Sequence, residues 1–105
     1  DEYSKALEIC PQSAVIRCCR AELLLSEKKS SEALADFSKI ISEASENENR
    51  YWISLSYLGR GLLRVERGEI EGAIMDFSFA EDLANKEGDK GLSARIAQEL
   101  ERSGI

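Results

Sequence analysis

Apolar residues recur along this chain at three- and four-residue intervals, in six blocks separated by short polar breaks. That spacing places the apolar positions of each block on one face of a helix. Tyr3, Ala6 and Leu7 mark a first helix over 3–9, stopped by Pro11. Ser13 is placed to cap a second helix, which carries Ala14, Ile16, Leu23, Leu24 and Leu25 and runs to about Glu27. Lys28, Lys29 and Ser30 form a turn, and Leu34, Phe37, Ile40, Ile41 and Ala44 then draw a clear amphipathic stripe. The most polar window, 45–50, reads as a loop. Beyond it Trp52, Leu55, Tyr57, Leu58, Gly61, Leu62, Leu63 and Val65 predict a fourth helix that Gly68 ends. Ile70, Ala73, Ile74, Phe77, Ala80 and Ala84 predict a fifth, and the stretch 85–91 a turn. In the last helix Leu92, Ile96 and Leu100 form a single stripe, with Ser93, Arg95, Gln98, Glu99, Glu101 and Arg102 turned outward. One apolar stripe is what a terminal helix needs when its outer side meets water.

The blocks are also related to one another. Ala33-Leu34-Ala35-Asp36-Phe37-Ser38 is echoed forty residues later by Ala73-Ile74-Met75-Asp76-Phe77-Ser78. Upstream, Arg20-Ala21 precedes Ala33 by thirteen residues, and Arg60-Gly61 precedes Ala73 by the same distance. Self-similarity at such a period marks an array of small helical units stacked on one another. Arg20 and Asp36 lie sixteen residues apart, as do Arg60 and Asp76. Each arginine falls on the first helix of a unit and each aspartate on the second, so an ion pair should cross each hairpin as a structural clasp. Ala21, Gly61, Ala33 and Ala73 would let paired helices approach closely, with Phe37 and Phe77 filling the space between neighbours.

Composition narrows the function. The 105 residues carry 20 acidic and 14 basic side chains, a net charge of −6, which argues against a nucleic-acid partner because phosphate binding needs clustered Lys and Arg. No apolar run approaches the roughly 20 residues that cross a bilayer, so direct membrane insertion is not expected. There is no histidine, which removes the usual general base and the commonest metal ligand. Of the three cysteines, Cys18 and Cys19 are adjacent, and on a helix their side chains diverge by about 100°. They read as small apolar residues of a reducing compartment, which points to the cytoplasm. No Gly-rich phosphate loop, paired catalytic carboxylate or Cys–His couple is present, so neither an enzyme nor a cofactor is expected.

These residues resemble the tetratricopeptide repeat, a helix-turn-helix unit with the pattern W-x2-L-G-x2-Y, then A-x3-F, then P. One copy reads Tyr57-x2-Arg60-Gly61-x2-Arg64 followed by Ala73-x3-Phe77 and Ala80; the other reads Arg17-x2-Arg20-Ala21-x2-Leu24 followed by Ala33-x3-Phe37 and Ile40. Tyr3, Ala6 and Pro11 match the second helix and closing proline of a preceding unit. The spacing is 40 instead of the family's 34, and Ser45 and Asn85 stand where a closing proline would. The extra residues are best placed in a longer fourth helix, with Tyr51 and Trp52 in an added first turn.

The resemblance implies an all-α fold, a right-handed superhelical solenoid of antiparallel helix pairs. Residues 1–12 would be the second helix of an incomplete leading repeat, 13–47 and 48–87 two full repeats, and 88–105 a capping helix. The chain is therefore expected to be a segment of a longer protein. By the same resemblance the work is non-catalytic protein binding, as part of a scaffold, adaptor or co-chaperone, in a groove lined by Val15, Cys18, Glu22, Leu25, Leu55, Leu58, Leu62 and Val65. The family's clamp for acidic C-terminal tails would fall on Cys18, Cys19, Glu22, Ser26, Leu58 and Leu62, which cannot grip a carboxylate. An apolar groove with acidic edges suits an amphipathic or basic helical ligand instead. Met75 and Phe79, with Tyr51 and Trp52, are a candidate second surface. The alternative function is self-association, a homodimer formed through the apolar face of the N-terminal helix.

Overall fold

Six α-helices account for the regular structure of the computed structural model, in which residues 2–11, 13–43 and 50–104 are described. They are α1 (Glu2–Ile9), α2 (Ala14–Ser26), α3 (Ser30–Glu43), α4 (Arg50–Glu66), α5 (Ile70–Glu87) and α6 (Lys90–Ser103), and there is no strand among the described residues. Several of their ends are set locally. Ser13 accepts from the Ile16 amide at 3.2 Å and Asp89 from the Leu92 amide at 2.9 Å, satisfying first-turn donors of α2 and α6. Gly68 and Gly88, at φ +79° and +70°, turn the chain out of α4 and α5 through the left-handed region that glycine reaches without a side-chain clash.

Two boundaries differ from the predicted ones. The polar stretch 85–91 contains only a two-residue break, because Asn85 to Glu87 complete α5 and α6 starts at Lys90. Arg50, assigned to a loop by its polar neighbours, opens α4; the rest of that predicted loop, and Ala44, lie outside the described residues. At 17 residues α4 exceeds the 13 of α2 by about one turn, and Tyr51 and Trp52 occupy the addition.

Among the described residues, helices pack on their neighbours in sequence, and beyond that only α2 on α4 and α4 on α6. This makes α4 the central element of a body measuring 39 × 30 × 21 Å. The core runs unbroken through the small and aromatic positions: Ala21, Ala33, Ala73 and Ala80 are fully buried, and Phe37 and Phe77 nearly so. A Cβ on Gly61 would stand 3.0 Å from the ring of Phe77, the expected close approach within α4–α5. A tighter one was not anticipated. Gly59 lies directly under Phe37, whose ring occupies the space a side chain there would need, so α3 and α4 meet through a glycine as well. Ser54, also buried, donates to the Ala80 carbonyl at 2.7 Å and ties α4 to α5 by a second route.

Leu7 is buried, and α1 packs on α2 alone. Tyr3, expected on the same buried face, stays 38% exposed, and Ile9 at the helix end is 82% exposed. The stripe on α6 falls as predicted, with Leu92 and Ile96 buried and Leu100 packed against them. The stripe on α5 does not: Ile70 and Ile74 are at the surface, because Ala73, Phe77, Ala80 and Ala84 already fill the contact side. Among the described residues no helix is long and apolar enough to cross a membrane.

Candidate functional site

The eight positions expected to line a groove belong to α2 and α4, and the fold separates them into two sets. Cys18, Leu55 and Leu58 are 0%, 4% and 1% exposed and belong to one core cluster with Leu92 and Ile96 of α6. They form a packed seam, not a groove floor. The reason is the packing of both α2 and α6 on the central α4, which leaves no open space over those side chains. Leu25, Leu62 and Val65 remain partly exposed against the core, while Val15 and Glu22 are exposed. The predicted positions that stay accessible along α2 and α4 are therefore Val15, Glu22, Leu25, Leu62 and Val65.

Cys18 illustrates the chemistry of the seam. Burial pushes its thiol up to about 12, and the nearby Glu22 carboxylate acts in the same direction. A thiol held protonated at neutral pH is neither a nucleophile nor a ready metal ligand. Among the described residues no group of three or more Cys, Asp or Glu is arranged to hold a metal ion, and all three cysteines are free.

The anticipated clasps are present in both hairpins. Arg20 donates through Nε and Nη2 to the two carboxylate oxygens of Asp36, at 2.7 and 2.6 Å. Arg60 makes the same fork to Asp76, at 2.9 and 2.8 Å. Paired, bidentate bonds of this kind fix the angle between two helices as well as their distance. The hydrogen bonds to Asp36 and Asp76 raise Arg20 and Arg60 further above the ordinary guanidinium range, so both stay charged under all physiological conditions. Each carboxylate has a second arginine that was not foreseen: Arg17 at 3.7 Å from Asp36, and Arg64 at 3.2 Å from Asp76. Arg17 precedes Arg20 by three residues and Arg64 follows Arg60 by four, spacings that place each pair on one helix face.

The second predicted surface is also divided. Tyr51 and Trp52 pack edge to face at 5.1 Å and lean on the core, so they serve the longer α4 and not an outer patch. Met75 and Phe79 do lie outside, 60% and 47% exposed. Their companion is Tyr57, whose ring lies 5.2 Å from that of Phe79 and is covered on another side by the Arg60 guanidinium at 5.6 Å. The signal was available: Tyr57 stands three residues before Arg60 and Phe79 three after Asp76, so the clasp brings the two rings together.

No protein-family model matches this chain, and comparisons with curated proteins and with solved structures gave no match.

Proposed function

We propose that this chain is a non-catalytic helical-repeat module of the tetratricopeptide kind, which holds a protein or peptide partner. The observation that carries the reading is the duplicated hairpin. The same arginine fork and the same turn recur forty residues apart, on helices that pack on their near neighbours. Stacked units of this kind extend into a solenoid, and the partner's place is the strip of Val15, Leu25, Leu62 and Val65 with Glu22 at its edge. Clasped helices are already ordered before the partner arrives, so little binding free energy is lost to ordering the receptor. A strip of this composition suits a helix with one apolar and one basic face, and the role that follows is that of an adaptor or co-chaperone segment in the cytoplasm.

The test is a screen of amphipathic helical peptides of either charge, with Leu62→Glu as the control. Basic peptides should bind, and Leu62→Glu should weaken them about tenfold or more by placing a charge in the strip. Selective capture of acidic-tailed peptides would overturn the reading.

A second reading, self-association, is favoured by the exposure of Tyr3 and Ile9 on α1. The face involved is not the one first expected, since Leu7 is turned inward. Light scattering over a concentration series separates the two readings: a mass that doubles with concentration and returns to monomer in Ile9→Glu assigns α1 to a dimer.

A further inference from the structure

The internal repeat supplies its own control for reading the surface of the second hairpin. Residues 54–83 of α4–α5 each have a counterpart forty residues earlier, on a scaffold with the same clasp and turn. Tyr57, Met75, Phe79 and Leu83 correspond to Arg17, Ala35, Lys39 and Glu43. In the first hairpin three of those positions face water, Ala35 exposed and Lys39 and Glu43 an exposed pair at 3.9 Å, while Arg17 is buried and turns to the Pro11 carbonyl and to Asp36. In the second, the three water-facing positions hold Met75, Phe79 and Leu83, and the fourth holds Tyr57. Met75, Phe79 and Leu83 follow at four-residue intervals along one side of α5, a strip about 12 Å long. Tyr57 reaches the strip from α4, its ring against Phe79.

The strip is held rigid from beneath. Asp76 fixes Arg60, Arg60 covers Tyr57, and Tyr57 supports Phe79. A substitution of this kind does not serve the core, because Met75 and Phe79 remain more than two-fifths exposed. Around them the exposed carboxylates on this face of α5 are Glu71, one turn before Met75, and Asp82, one turn after Phe79, neither with an ion-pair partner among the described residues, and exposed Lys86 closes the C-terminal end of the strip. A second copy of this chain would bring its own charge of −6 to that acidic border. The border is complementary instead to Lys and Arg.

We propose that Tyr57, Met75, Phe79 and Leu83 form a docking surface, separate from the α2–α4 strip, for a helix of another protein. That helix presents apolar side chains one turn apart and carries Lys or Arg at its flanks to meet Glu71 and Asp82. Aromatic anchors preorganised in this way are the side chains that dominate helix recognition.

The probe is a fluorescein-labelled peptide of about four to five turns, with leucines on one face and lysines on its flanks, beside a twin in which glutamate replaces every lysine. Binding to the whole chain is read by anisotropy at low and high salt. The expected result is binding of the lysine peptide alone, weakened by salt and weakened about tenfold or more by Phe79→Lys, which restores the residue of the first hairpin. The measurements are made in the Leu62→Glu background, in which the strip on α2 and α4 no longer takes a basic peptide, so that any binding lost with Phe79→Lys belongs to the α5 surface. Because Phe79 is an exposed position its variant should melt as the parent does, and Met75→Ala offers a second, milder loss at an even more exposed one. Three outcomes overturn the proposal: binding of neither peptide, binding indifferent to both variants, or a concentration-dependent dimer of the chain that Phe79→Lys abolishes.

Discussion

In α2–α3 the Asp36 side chain keeps 7% of its surface exposed, gripped by Arg20 with Arg17 standing off at 3.7 Å. In α4–α5 Asp76 keeps 1%, and its second arginine, Arg64, closes to 3.2 Å. The letters of the two clasps are the same and their depth is not. The difference comes from position in the array: among the described residues α4 is packed by α2, α3, α5 and α6, whereas the outer flank of α2 is covered by the eight-residue α1. A repeated motif therefore specifies a local geometry, and its neighbours decide how far that geometry is removed from water and how much depends on it.

The largest effect that tests this comparison is removal of the carboxylates. Asp76→Ala removes a fully buried carboxylate and leaves Arg60 and Arg64 without their counter-charge, and should cost about 3–5 kcal/mol of stability in urea denaturation. Asp36→Ala should cost less, on the order of 2 kcal/mol, since its carboxylate is less deeply buried and its second arginine stands farther off. Equal losses at the two sites would show that burial depth does not govern the clasp. Neither variant that remains folded should change what the strip on α2 and α4 binds.

A smaller effect distinguishes Gly59 from Cys19, its counterpart in α2. Cys19 is accommodated at the half-buried edge of α2, but a methyl at Gly59 meets the ring of Phe37. Gly→Ala in a free helix gains roughly 1 kcal/mol. Here overpacking at the α3–α4 contact should reverse the sign, for a net loss of about 1–3 kcal/mol. A higher melting temperature in Gly59→Ala would mean that the two helices separate easily and the units are not coupled through that contact.

The smallest effect lies in the turns. Lys28 and Gly68 occupy the same place, at φ +61° and +79°, with the same hydrogen bonds to the residues three and five before them or before the next residue: Lys28 to Leu25 and Lys29 to Leu24, Gly68 to Val65 and Glu69 to Arg64. Only one of the two is a glycine. Lys28→Gly should therefore stabilise the first hairpin by about 0.5–1 kcal/mol, and Gly68→Lys should destabilise the second by a similar amount. If both changes were neutral in thermal melts, the turns would be shaped by the helices they join and not by their own residues.

Much of this architecture could be read before any coordinates. The three- and four-residue spacing located the six helices, Ser13 and Gly68 located their ends, and the sixteen-residue interval located both clasps. Site positions were less legible. Cys18, Leu55 and Leu58 occur at the same helical spacing as Leu62 and Val65, and periodicity alone cannot say which of them a third helix will cover. Ile70 and Ile74 continue the α5 pattern yet face water, because an apolar stripe wider than its contact leaves its edges outside.

What the sequence determined by itself was local or duplicated: helix phase, caps, turns and the pairing of each arginine with its aspartate. Helix geometry carries such information over a few residues, and the repeat carries it over forty. Only the tertiary structure decided that α2 and α6 would both lie against α4 and seal the predicted groove floor, and that Tyr57 and Phe79 would join at an exposed edge. Those outcomes depend on which faces meet after every unit has folded, since burial is a property of the assembled surface and not of any one helix.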